Sequence, residues 1–446
     1  MGAGASVSVN TSSQKETEKM KTRTMKSVRG KIAACVSAVA VGMLTHQAFA
    51  ANYFYQQDAE DACCWDGKVW YWGNNKLTSL SYTEFGSHDL SVNRSTEEYP
   101  LRITNGIAAV ASTLSIGTSF VSGYSPVVRV ESGGSLSTTI LNIGGASSRG
   151  RLLIEGGDVT ISGTNYVGGV TSDGFSEIVL SNGTLRLTKA SDMATTAANL
   201  YLGKDEGRYG ILRGWGSVVK GSKVARMMLG DGMIVGDGFG EQRELDLHTL
   251  ASICSVWDTE SAVPADTTNG WYAVNKGAVL FPRTWFNASS YNGRVGAFGN
   301  TDASTNFVNS VQFVVGGTNG KCRFQGGVFA EDRDDVHADA LPSNKGVVGI
   351  WKLGLFTDSD TPSVRNFTSC QLTFRYDQTK TKPGDKLALL RWEESKWVKV
   401  AETVVPEEGE YRISMGSRSC LTSETYNAGT FALVRIMPKG FIISFY

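Results

Sequence analysis

Histidine is scarce in this chain, with four in 446 residues, and proline is low at nine. His88, His248 and His337 are far apart in sequence and nominate no site. No Cys-x-x-Cys pair occurs, so a zinc site is not expected. Gly-x-Ser-x-Gly, His-Glu-x-x-His and a Gly-rich phosphate loop are also missing. No catalytic residue is therefore nominated, and neither cofactor nor metal is expected. Neither sign of charge is in excess, with 43 basic and 43 acidic residues, which argues against a nucleic-acid binder, where a basic excess or stripe is expected. No apolar run reaches the ~20 residues that span a bilayer as a helix, so the mature chain is expected to have no transmembrane segment.

Glycine, by contrast, is plentiful, at 51 residues, and 41% of the chain is hydrophobic. Gly-rich disorder comes with proline and few apolar residues, so these glycines read as turns in a folded β protein. The length predicts two or three domains.

Two signals compete at the front. Met1-Gly2-Ala3-Gly4-Ala5-Ser6 fits a myristoylation pattern. Further on, Lys19, Lys21, Arg23, Lys26, Arg29 and Lys31 form a basic region. Residues 32–44 form an apolar one, and Ala48-Phe49-Ala50 is an A-x-A cleavage site. The three-part secretory signal is the more specific pattern and predicts export with a mature chain beginning at Ala51. Residues 1–19 then read as an over-extended start before Met20 or Met25. Ile32-Ala33-Ala34-Cys35 imitates a lipobox but opens the apolar region instead of following it. After cleavage six cysteines remain, Cys63, Cys64, Cys254, Cys322, Cys370 and Cys420, an even number consistent with disulfides in an oxidising compartment.

From about residue 100 a phrase recurs. Turn glycines stand at Gly134, Gly157, Gly183 and Gly216, each followed two residues on by an aliphatic: Leu136, Val159, Leu185, Val218. Another aliphatic precedes each turn: Val130, Ile154, Leu180, Leu212. A second mark, aliphatic then glycine, follows at Ile143-Gly144, Val167-Gly168, Leu202-Gly203 and Leu229-Gly230, with a partial copy at Ile116-Gly117. Units of this length in series predict stacked coils that place equivalent aliphatics in internal columns. Extra residues at 189–199 read as a loop.

Units of the form aliphatic-x-Gly-Gly-x-aliphatic, then aliphatic-Gly, resemble the passenger repeats of autotransporter-type and related secreted bacterial β-helix proteins. Trp65-Asp66-Gly67 with Trp70 and Trp72 is similar to the Trp-rich start of such passengers. The resemblance covers roughly 63–245. It implies an all-β chain, a right-handed parallel β-helix, displayed outside the cell. The resulting organisation is a leader over 1–50, a Trp-rich cap over 51–99, β-helix repeats over 100–245, a β-rich intermediate region over 246–365 and a C-terminal β-sandwich over 366–446. That last module resembles the sandwich tails that follow β-helices, through Tyr376-Asp377, Leu387, Leu389, Arg391-Trp392, Trp397 and Phe431-Ala432-Leu433-Val434.

Candidate chemistry is sparse. Glu331-Asp332-Arg333-Asp334-Asp335-Val336-His337-Ala338-Asp339 has the carboxylates for Ca²⁺, but no glycine sits where such a loop turns, and a solvated loop is the simpler reading. Trp65, Trp70 and Trp72 have rings that can stack on sugars, yet they equally plug the open end of a solenoid. Charged positions differ between units: Glu131, Glu155, Ser181, Arg213. The expectation is a secreted or cell-surface structural or adhesin-like protein without catalysis. Its partners would be extracellular polysaccharide or cell-envelope components. The alternative is a polysaccharide lyase or glycoside hydrolase on the same scaffold.

Overall fold

The computed structural model describes residues 52–56, 65, 70–72 and 75–76 and, with short breaks, most of 88–437. The leader, its cleavage site, Cys63, Cys64, Cys420, the stretch 189–199 and the terminal Phe441–Tyr446 lie outside the described residues. Among the described residues there is no α-helix, only strands and short 3-10 turns. None is a helix long and apolar enough to cross a membrane.

Parallel pairing dominates up to about residue 280 and forms three ladders. The first runs through Leu101–Ile103, Val127–Glu131, Arg151–Glu155, the front halves of Ser176–Leu187 and Gly210–Lys220, then Gly232–Asp237 and Tyr272–Asn275. The second links the front halves of Ala108–Ile116 and Ser135–Ile143 to Asp158–Ile161, the rear halves of the two long strands, Arg243–Asp246 and Gly277–Leu280. The third joins Asn52–Gln56, Asp89–Arg94, the rear halves of Ala108–Ile116 and Ser135–Ile143, Asn165–Val167, Leu200–Leu202, Arg226–Leu229 and Ser252–Ser255.

The ladders are held in register by aliphatic columns. In the first, Leu101, Val128, Leu152, Ile178, Leu212, Ile234 and Tyr272 stand opposite one another and all are buried. In the second, Leu136, Val159, Leu185 and Val218 do the same. In the third it is Ile116, Ile143, Val167, Leu202 and Leu229. The second and third columns are the aliphatics that mark the repeats in the sequence; in the first ladder the marked Val130, Ile154 and Leu180 form a neighbouring buried column two residues on. Full burial of one such side chain contributes roughly 1.5–3 kcal/mol, and strand alternation aims every second residue inward. One expected equivalence is displaced: Leu212 stands opposite Ile178, and Gly214, not Leu212, lies opposite Leu180.

After Leu280 the pairing turns antiparallel. Gly277–Leu280 pairs with Lys321–Phe329, which is followed across the sheet by Lys345–Phe356, Gly429–Ile436, Lys386–Glu393 and Lys396–Val404. A separate four-stranded sheet holds Val295–Ala297, Val311–Gly316, Ser369–Arg375 and Arg412–Ser414. Aromatic rings join the two: Phe374 lies 5.1 Å from both Trp351 and Phe431, and Phe313 lies 4.4 Å from Phe324. In both sheets strands from before residue 365 pair with strands from after it, Lys345–Phe356 with Gly429–Ile436 and Val311–Gly316 with Ser369–Arg375. Residues 366–446 therefore do not make a sandwich alone, because their strands bond with those of 277–356. Adjacent strands in these sheets are separated by up to about 70 residues of chain, a distance that local periodicity does not encode.

Candidate functional site

The residues singled out in the sequence fall into three settings. Trp65 is wholly buried, and its backbone N–H donates to the Arg102 carbonyl at 2.7 Å. A ring with no exposed face cannot stack on a sugar. Trp70 and Trp72 belong to the strand Trp70–Trp72, which pairs antiparallel with Asn52–Gln56 on one side and Asn75–Lys76 on the other. Asn52–Gln56 is the first rung of the third ladder, so this small hairpin pairs with the rung that opens it, where bare edges would otherwise recruit other strands.

The turn glycines answer a steric demand. A Cβ at Gly134, Gly157, Gly183 or Gly216 would overlap the carbonyl oxygen of Ile103, Glu131, Ile154 or Gly183 in the unit below. The left-handed backbone expected at these corners falls one residue earlier in three of them, at Gly133, Gly156 and Asn182, with φ of 78°, 73° and 63°. Only Gly216 combines both roles.

The acidic stretch 331–339 keeps Glu331, Asp332, Asp334 and Asp339 exposed, as a solvated loop would, while Arg333 and Val336 are buried. It forms two 3-10 turns, Asp334–Val336 and Ala338–Ala340, and Val336 is buried against Phe329, Ile350 and Leu390 on the outer face of the large antiparallel sheet. Arg333, itself buried, bonds Asp335 at 2.9 Å and Glu244 at 3.0 Å, and Lys352 bonds Asp335 at 2.8 Å. Partial burial pushes the Asp335 carboxyl up, but Arg333 and Lys352 outweigh it and hold the group at about 2. No group of three or more metal-ligating side chains occurs among the described residues. Of the six cysteines expected in the mature chain, Cys254 lies on the strand Ser252–Ser255, half-buried.

Charges that vary between units prove to be cross-linked on the outer face of the first ladder. Arg102 grips Glu131 with two bonds of 2.6 and 2.9 Å, Arg151 meets Glu177 at 2.6 Å, and Arg213 meets Asp237 at 2.7 Å. Each arginine reaches a carboxylate one rung away. The partly exposed Arg102–Glu131 pair contributes roughly 0.2–1 kcal/mol, the Asp237 carboxylate is buried, and all three pairs commit these carboxylates to structure.

The third ladder carries a different outer face. Its outward column, read rung by rung, is Ser91, Ser115, Asn142, Tyr166, Tyr201, Met228 and Cys254. Side-chain size steps up abruptly between Asn142 and Tyr166, and the step leaves a hollow of about 430 Å³ against Tyr166. Ser115, Thr118 and Asn142 line it, together with Lys204 and Arg208. Tyr201 backs Tyr166, with ring centroids 5.2 Å apart and planes 22° from parallel. Lys204 Nζ sits 4.9 Å from the Tyr166 centroid and 5.3 Å from that of Tyr201. The hollow has an aromatic ring, short hydroxyl and amide groups and two cations, and no carboxylate among its described lining residues. Its volume lies in the range of small-molecule sites, ~300–1,000 Å³. The sequence held a signal for it. Outward residues immediately precede the aliphatic-Gly marks, and those positions read Ser115, Asn142, Tyr166, Tyr201 and Met228.

No protein-family model and no curated protein matches the chain. Among solved structures, a similarity is found to the enzymatically active domain of bacteriophage CBA120 tailspike protein 4. It has 11% identity and a TM-score of 0.17, covering 80% of this chain and 52% of that one. The chain thus spans about half the length of that domain, and a likeness of this degree carries no argument about fold or function.

Proposed function

We propose that this chain is an exported, non-enzymatic structural or adhesin-like protein that holds polysaccharide on the flank of a β-helix. In this reading the three parallel ladders are the three walls of a right-handed solenoid, the hand that parallel crossovers strongly favour. The resemblance of the repeats to autotransporter-type passengers supports display at the cell surface. The observation that carries the binding role is the lining of the hollow beside Tyr166. A tyrosine face, hydroxyls, an amide and cations suit a sugar ring with its hydroxyls and substituents. Glycoside hydrolysis by the usual route requires two carboxyl groups flanking the bond, and the described lining residues include neither.

The test incubates the mature protein, starting at Ala51, with acidic and neutral polysaccharides, with and without Ca²⁺. Retention of polymer without new reducing or unsaturated ends is the expected result. Appearance of such ends, lost on Tyr166→Phe or Arg208→Gln, would replace the scaffold with a lyase or hydrolase.

A further inference from the structure

We infer that the hollow beside Tyr166 takes one unit of a glycan with equatorial, β-1,4-type linkages, whose chain crosses the flank along the strands to a second subsite at Phe175 and Tyr209. The inference rests on the polysaccharide-binding reading above and adds the linkage of the ligand and its path. Three observations carry it. The first is the attitude of the platform ring. Tyr166 and Tyr201 are register partners on adjacent rungs, and their ring centroids lie 5.2 Å apart with planes 22° from parallel. Two rings this close cannot lie side by side in one plane, so they turn their faces to each other along the ladder. The other face of Tyr166 looks down the column over Asn142 and Ser115. A pyranose stacked on that face through its C–H groups has its mean plane across the ladder. Equatorial bonds leave a pyranose near its mean plane, so an equatorially linked chain leaves along the strands. An axial bond leaves steeply and would send the chain down the column.

The second observation is where the hollow opens. Its lining follows the strand direction, from Asn142 to Gly144 on one rung and from Tyr166 to Gly168 on the next. These corner positions carry no side chain, and a Cβ at Gly144 would overlap Ser176 Oγ. At the other end of the same line Ile140 faces outward two positions before Asn142 and is 37% exposed. The third observation is what lies beyond the corner. Phe175 and Tyr209 immediately precede Ser176 and Gly210, register partners at the start of their first-ladder strands. The Tyr209 backbone bonds that of Gly169 at 3.1 and 3.2 Å, which ties it to the corner that follows Tyr166. The two rings meet edge to face at 5.8 Å, and Phe175 is 40% exposed. An exposed aromatic braced by a second ring is a platform for a further sugar. The column below the hollow has none: it continues through Ser115 to Ser91. This geometry is indifferent to charge, and a neutral glycan satisfies it.

The experiment measures binding of the mature chain to cellohexaose, chitohexaose, cellobiose and the α-1,4-linked maltohexaose by calorimetry. The variants are Tyr166→Ala, Phe175→Ala and Ser91→Tyr, with thermal melts to check that each remains folded. The expected result on the wild type is tighter binding of one or both β-1,4 hexaoses than of maltohexaose, by about tenfold or more. Phe175→Ala should weaken the hexaose by about threefold or more and leave cellobiose, which fills the hollow alone, unchanged. Tyr166→Ala should weaken both, and Ser91→Tyr, which fills the column below the hollow, should change neither. Equal binding of maltohexaose would overturn the linkage. Loss of hexaose binding in Ser91→Tyr, with Phe175→Ala indifferent, would run the chain along the column and overturn the path. Either result leaves polysaccharide binding at the hollow intact. If no oligosaccharide binds, the inference falls; retention of polymers from the panel above then keeps the wider reading, and retention of none removes both.

Discussion

His248 illustrates how position in the fold sets the chemistry of a single side chain. Burial lowers its pKa to about 4; Asp246 pulls the other way, while Arg283 and Arg323 reinforce the lowering. A histidine whose folded pKa lies below its unfolded value of ~6.5 is neutral in the folded state, so the unfolded chain binds more protons between those values. Stability is accordingly complete above about pH 6.5 and falls as the pH drops towards 4, by an amount on the order of 3 kcal/mol for this group. Melting of the wild type and His248→Gln across this window checks it: the difference between the two curves should change with pH in that interval and be flat above it. The turn glycines make the same point sterically. Gly157 faces the Glu131 carbonyl of the unit below so closely that no side chain fits, although nothing in its own dipeptide distinguishes it from an ordinary turn glycine.

At the scale of the element, a rung is a short strand with one residue in two committed to the interior. Ile161 and Leu187 stand opposite each other on adjacent rungs and both are fully buried. Ile161→Asp or Leu187→Asp would leave an unpaired carboxylate in an internal column and should destabilise the fold by at least about 4 kcal/mol. Chemical denaturation of either variant tests this, and a melt like that of wild type would place those side chains elsewhere. Rungs also tolerate polar exceptions when they are satisfied. Asn165 occupies an inward position, where its Oδ1 accepts from the Leu141 N–H at 2.6 Å and its Nδ2 donates to the Gly163 carbonyl at 2.8 Å.

At the scale of the whole molecule, parallel ladders need ends. The opening rung is covered by the antiparallel hairpin that includes Trp70–Trp72, and Gly277–Leu280 is covered by Lys321–Phe329. The outermost strand of the large sheet, Lys396–Val404, carries lysine and glutamate outward, a charged edge that discourages pairing with other chains. Export also belongs to this scale. The expected product is a mature chain beginning at Ala51, since Ala50 closes the A-x-A site behind a short apolar region. N-terminal sequencing of secreted protein checks it, and recovery of an acylated Gly2 would overturn it.

The all-β class, the repeat marks and their aliphatic columns were legible in the chain itself, because strand alternation and the need of each rung for the same inward residue are local demands that repetition prints into the sequence. The column Leu136, Val159, Leu185, Val218 was readable by alignment alone. What only the tertiary structure decided were the contacts between residues that no period relates. The acidic stretch 331–339 became a cover pinned to the sheet by ion pairs because the buried Arg333 meets Glu244, some 90 positions earlier. Strands either side of residue 365 merged into shared sheets because non-local pairing follows the packing of faces, which leaves no periodic mark. The hollow beside Tyr166 arose from the register of Ser115, Asn142 and Tyr166, three unremarkable residues that gain a meaning only when stacking sets them one above another.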